Sequence, residues 1–275
     1  EGCSGTLHPP VHFAQGAIGM PFAAGAGTRA SPYELRALPT SLLARCPDLM
    51  PGHPLNATGV LETARMLHNI QRLRTLWEAS RGLHGQCDAL SRHYVLATGF
   101  DLSNYAAACG GRGWQPIGMG DVTGAGPWHN AFRGSFTGGG AATPITNLSI
   151  QIDASRPGAA YGLFGLARNA LLRNVHLIGA RIQLEGAPES DQLFAVVGLL
   201  GHGCNVILRD VNVGQITVTA SPREENGLAV TLLGGVAGLL SGSAQAKGVS
   251  VRQARLKSAG ALCAQGGMAG AAVFL

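Results

Sequence analysis

The stretch YGLFGLARNALLRNVHLIGARI, Tyr161 to Ile182, is too rich in Gly and Asn for a stable helix and too long for one strand. Comparing the chain with itself resolves the conflict. The segment GLFGLARNALLRNVHL (162–177) is echoed by GLLGHGCNVILRDVNV (198–213), then by GGVAGLLSGSAQAKGVSV (234–251), and by a shorter copy, GGMAGAAVFL (266–275). The leading glycines of the G-x-x-G units are Gly162, Gly198, Gly235 and Gly267, and the second glycines are Gly165, Gly201, Gly238 and Gly270. The second set is separated by 36, 37 and 32 residues, and Val175, Val211 and Val249 keep the same phase at 36 and 38.

Within each copy the apolar residues alternate, as in Leu172, Val175 and Leu177 or Leu208, Val211 and Val213. Alternation with many β-branched residues reads as strand. Each copy is therefore expected to be one coil of a parallel β-helix: a Gly-rich strand, a turn, an alternating strand, another turn and a third strand. One coil cannot bury its inner face alone, but stacked coils share a continuous core. The predicted fold is an all-β, right-handed parallel β-helix (β-solenoid). The uncharged stretch Asn226–Ala246 resembles a membrane span in hydropathy alone. With five glycines it reads instead as the third coil's buried strand and turn.

Composition agrees. Gly is 41 of 275 residues and charged residues are 13%, which suits short strands and tight turns and argues against a helical bundle or a disordered chain. The net charge of +5 is carried by scattered Arg with no run, and aromatics are 5%, so no nucleic-acid surface is predicted.

Upstream the pattern loosens. Residues 1–57 form a Pro- and Gly-rich leader segment. Residues 58–93 hold an amphipathic helix (Ala64, Leu67, Ile70, Leu73 and Trp77 on one face) and its connection, and this helix is expected to cap the first coil. Residues 94–160 are read as irregular first coils, and 161–275 as the regular repeats with a truncated last copy.

These motifs together resemble bacterial surface proteins with GLUG-type repeats. GAGTRASPYEL (25–35) is similar to that family's lead-in, and YVLATGFDLS (94–103) to its Y-x-L-x-x-D-I-D-L-S segment. GWQPIG (113–118), FRGSFTGGGAATPITNLSI (132–150), YGLFG and LRNVHL match further units in order. Departures include Gly99 and Phe100 in the second unit, GGAAT in place of an Asp-Gly-Asn-Gly-His turn, and Ala246 and Gly248 in the third repeat. The resemblance implies a secreted or surface-attached adhesin.

Candidate chemistry is sparse. The Gly201-His202-Gly203 segment resembles one used by pectin-cleaving β-helices, but no paired aspartates precede it, and glycoside hydrolysis usually needs two carboxylates at a set separation. His202 is read as a turn residue. His8 and His12 flank two prolines and are read as loop. Asn147 and Asn174 are read as equivalent structural residues whose side chains bond turn backbone. Asn56 and Asn147 match a glycosylation pattern that the bacterial resemblance argues against. The cysteines Cys3, Cys46, Cys87, Cys109, Cys204 and Cys263 are widely spaced, which disfavours zinc and fits disulfides in an oxidising compartment, with free buried thiols in a cytosolic protein as the alternative.

No catalytic, cofactor or metal residue is therefore assigned. The expected function is structural or adhesive. The last repeat stops five residues after Gly270, which raises the expectation of a partner coil from a head-to-tail neighbour or from further chain. A carbohydrate-binding module, with a surface glycan or receptor as partner, and a polysaccharide-acting β-helical enzyme are the alternatives.

Overall fold

The computed structural model describes residues 25–35, 89–103, 113–114, 116–118, 128, 131–155, 160–188, 191–222, 229–259, 262–266 and 269–273. The proposed helix over 58–80 lies outside the described residues. Among these residues the chain is an all-β stack of parallel strands, a β-solenoid.

The strands run in successive coils. The first are β1 (Tyr33–Leu35), β2 (His93–Leu96) and β3 (Phe100–Asp101). Then follow β4 (Ser135–Thr137), β5 (Ile145–Thr146), β6 (Ser149–Asp153), β7 (Ala160–Tyr161) and β8 (Phe164–Arg168). The next coil is β9 (Leu171–Arg173), β10 (His176–Ile178), β11 (Arg181–Gly186), β12 (Gln192–Val197) and β13 (Leu200–Cys204). After it come β14 (Ile207–Arg209), β15 (Asn212–Gly214), β16 (Thr217–Pro222), β17 (Ala229–Gly234) and β18 (Ala237–Ser241). The last is β19 (Gln245–Lys247), β20 (Ser250–Arg252), β21 (Arg255–Ser258), β22 (Leu262–Gly266) and β23 (Ala269–Val273).

Equivalent strands stack into five parallel sheets. Sheet A is β1-β2-β4-β9-β14-β19, sheet B β3-β5-β10-β15-β20 and sheet C β6-β11-β16-β21. Sheet E is β7-β12-β17-β22 and sheet D β8-β13-β18-β23. β1 falls within the segment read as leader and pairs with β2, Tyr33 opposite Tyr94.

The repeat is thus five-sided, not the expected three-strand coil. The reason is at the corners. Asn174 and Asp210 have φ of 52° and 53°, which breaks the anticipated single alternating strand into β9 and β10, or β14 and β15. Polar Asn and Asp tolerate this left-handed conformation better than apolar residues do. The inward columns remain as alternation predicts: Phe136, Leu172 and Leu208 stack in sheet A, and Ile150, Ile182 and Val218 in sheet C, all buried. Val175 and Val211 are fully buried at the corner where their shared phase put them. The early coils fill their width with aromatics: Tyr33–Tyr94 ring centroids are 5.6 Å apart, and Phe132–Phe164 5.1 Å. Trp114 is buried there and its Nε1–H donates to the Leu163 carbonyl at 3.1 Å.

The stretch that resembled a membrane span contributes β17 and β18 to this stack. Among the described residues no helix is long and apolar enough to cross a membrane.

Candidate functional site

The repeat glycines form two columns where sheet E bends into sheet D. At the first column, a Cβ on Gly198 would lie 2.5 Å from Ile216 Cδ1 and 2.6 Å from the Gly235 carbonyl oxygen; on Gly162 it would lie 3.0 Å from Leu199 backbone. At the second, a Cβ on Gly201 would lie 2.5 Å from Ala160 Cβ, and on Gly238 2.8 Å from Ala195 Cβ. A Cβ on Gly165 would collide with the Gly118 carbonyl oxygen. Space requires glycine here. Gly270 lies in β23, and Gly267 lies outside the described residues.

The ladder also skips at this second column. Leu200 pairs Phe164, and the next pair is His202 with Leu166. Beyond the skip the faces are exchanged: Phe164 and Ala167 join the main core, whereas Leu166 joins a second cluster with Ala131, Ala160 and Ala195. Trp128 packs on that second cluster.

His202 is therefore not in a turn. It occupies the middle of β13, between Leu166 and Leu239 of the adjoining strands, and is 9% exposed. Its ring meets Trp128 edge-on with centroids 4.8 Å apart, and its Nε2 lies 3.1 Å from Ser241 Oγ. The Arg168 guanidinium carbon stands 5.9 Å from the Trp128 ring centre. Burial pushes the His202 pKa down from the usual 6.5 to about 4. The arrangement holds a neutral imidazole in an apolar layer.

Left-handed corners form three further columns. Asn169 and Asn205 stack with Gly242, Asn174 and Asp210 with Gly248, and Asn147 with Gly179, Gln215 and Gln253. Asn147 and Asn174 are thus not equivalent, because the register places Thr146 opposite Ile178 and so moves Asn147 to the next corner. Their similar sequence surroundings reflect the common needs of a left-handed corner. The side chains do bond between coils: Asn205 Nδ2 donates to Asn169 Oδ1 at 3.2 Å and Asn205 Oδ1 accepts from the Ser243 N–H at 2.8 Å. Asn147 Nδ2 donates to Asp101 Oδ1 at 2.7 Å. Burial raises the Asp101 pKa, but hydrogen bonds from Asn147, Ser103 and Thr146 outweigh it and hold the carboxyl below its usual range.

Cys204, expected to be a disulfide candidate, is a half-buried free thiol at the end of β13. Its in-register neighbours are Arg168 and Ser241, so the stack brings no sulfur to it. Cys263 sits two coils on and in another sheet, opposite Thr231 of β17. Cys3, Cys46, Cys87 and Cys109 lie outside the described residues. Among the described residues no group of three or more His, Cys, Asp or Glu could hold a metal ion.

Sequence reading missed the order of the surface charges. Arg residues that look scattered along the chain fall into columns. Arg173, Arg209 and Lys247 are successive and exposed in sheet A, and Arg181 and Arg255 share a column of sheet C with Thr217 between them. The available signal was the repeat phase of LLR, ILR and QAK (171–173, 207–209, 245–247).

No family model and no solved structure matches the chain. A protein of Evansella cellulosilytica named "Putative Gly-rich membrane protein" is 37% identical over 117 residues. That similarity covers 42% of this chain and 11% of the Evansella protein, so the chain spans about a tenth of the length of the curated relative it matches.

Proposed function

We propose that this chain is a structural or adhesive module of a bacterial surface protein, built on a right-handed solenoid of the GLUG-repeat type and working outside the cell. The observation that supports this reading most directly is the in-register alignment of outward side chains. Thr137, Arg173, Arg209 and Lys247 form one column of sheet A, parallel to Ser135, Leu171, Ile207 and Gln245. Parallel stacking repeats each outward position about every 4.8 Å, producing flat, extended faces suited to repetitive partners. The name of the Evansella protein is consistent with residence at a cell boundary. No catalytic role is assigned to His202, whose imidazole is enclosed by Trp128 and the alanine-rich layer.

Self-association belongs to the same proposal. Among the described residues β19 to β23 are the outermost strands of their sheets. Their edges are suited to pairing with another coil, from the same polypeptide or from a second copy. A head-to-tail contact between copies would build an open filament.

Two measurements test the proposal. Beads coated with the purified protein are expected to be retained on bacterial surfaces under flow, unlike beads coated with heat-denatured protein. Equal retention of both would remove the adhesive reading. Electron microscopy with and without reductant tests the filament, and monodisperse particles in both conditions would remove it.

A further inference from the structure

We propose that the outer face of sheet A binds a linear acidic polysaccharide, specifically a polyuronate, laid along the solenoid axis with one carboxylate per coil. This inference rests on the adhesive reading and names its ligand class.

The face has two outward columns. One runs Glu34, Val95, Thr137, Arg173, Arg209, Lys247, and the other His93, Ser135, Leu171, Ile207, Gln245. In the first, three consecutive strands each present an exposed cation. The strand spacing puts these charges about 4.8 Å apart. Like charges directly opposed on neighbouring strands are unfavourable. The fold does not require them, since Thr137 and Val95 fill the same column in earlier coils. Local neutralisation is slight. Arg173 Nε donates to Thr137 Oγ1 at 2.9 Å, and Arg209 Nε lies 3.5 Å from Asp210 Oδ2 in a pair whose side chains are 59% and 55% exposed. The cost of a cationic ladder is therefore retained over three copies, which points to an anion as its occupant.

The second column narrows the chemistry. Ile207 is a large hydrophobic residue left 43% exposed, and Leu171 beside it is half-buried. Residues two apart in a strand are about 6.6 Å apart, so an apolar strip runs one residue pair away from the cations. A uronic acid residue has matching parts: a carboxylate on one edge and a C–H face on the ring. A chain of such sugars advances by roughly the length of one ring per charge, comparable to the strand spacing. Single-stranded nucleic acid fits less well, because its bases need aromatic platforms and no described aromatic residue stands in either column beside these cations.

Affinity electrophoresis through gels containing polygalacturonate or neutral galactan tests the assignment. The wild-type protein is expected to be retarded by polygalacturonate, less so at high salt, and not by galactan. Arg173→Gln, Arg209→Gln and Lys247→Gln should each weaken retardation about 3-fold, and the triple variant about 30-fold. Ile207→Ser should also weaken it. The sheet C variant Arg181→Gln/Arg255→Gln should match wild type, and circular dichroism checks that all variants fold.

The proposal is overturned if the triple variant binds like wild type or the sheet C variant loses as much. Polyglutamate or single-stranded oligonucleotide binding as tightly as polygalacturonate would also overturn it. A wild-type protein whose beads adhere to cells but which ignores polygalacturonate overturns the ligand assignment and leaves the adhesive reading intact. Failure of both assays removes both.

Discussion

At the scale of single residues, His202 shows how a catalytic-looking signature becomes a packing element. The glycines beside it permit the ladder to skip, and the skip turns His202 toward Trp128 and Leu166 rather than the main core. Burial then disfavours the imidazolium and lowers its pKa from 6.5 to about 4. On acidification the unfolded chain takes up this proton first. The stabilisation from a neutral His202 is whole above pH 6.5 and is lost as pH falls toward 4, by about 1.4 kcal/mol per unit at most. His202→Leu, which matches Leu166 and Leu239 in the same column, should flatten the stability profile in that window. Thermal midpoints at pH 7.5 and pH 5 check this. A variant whose midpoint falls as steeply as wild type's would rule out His202 as the source. The histidine was visible in the sequence, but its environment was not, because Trp128 lies 74 residues away along the chain.

At the scale of the element, the coil is shaped by where side chains cannot go. Gly201 lies where sheet E meets sheet D, and a methyl there would sit 2.5 Å from Ala160 Cβ. Gly214 in β15 has nothing within 4 Å of the same position and no positive φ. Gly201→Ala should therefore destabilise by about 1–3 kcal/mol through overpacking. Gly214→Ala should be neutral or stabilise by up to about 1 kcal/mol by restricting the unfolded chain. Urea denaturation of the two variants measures the contrast, and equal effects would contradict the close approach of the two sheets. Both glycines look alike in the sequence except that one recurs in phase. The in-phase recurrence of Gly165, Gly201 and Gly238 was the legible part. The count of sides per coil was not, since the left-handed corners at Asn174 and Asp210 interrupt an alternation that otherwise reads as one strand.

For the whole molecule, stacking makes stability a property of neighbours. Strands β9 to β18 are paired on both sides, whereas β1 is paired on one. Amide hydrogen exchange should be slowest in β9–β18 and faster in β1 and β19–β21. Uniform protection across all strands would mean that the stack opens only as a unit. The same neighbour logic aligns Arg173, Arg209 and Lys247, which are remote in sequence and adjacent in space. By itself the sequence determined the repeat, its phase and the inward apolar columns, because period-two alternation and recurring glycines are local signals. The uncharged 226–246 stretch also read as solenoid strand and turn, and β17 and β18 come from it. Only the tertiary structure decided the five-sided coil, the separation of Asn147 from Asn174, the free thiol of Cys204 and the cationic ladder. Each of these depends on which residues lie one coil apart, and that register is set by corner conformations and close packing rather than by any residue's immediate neighbours in the chain.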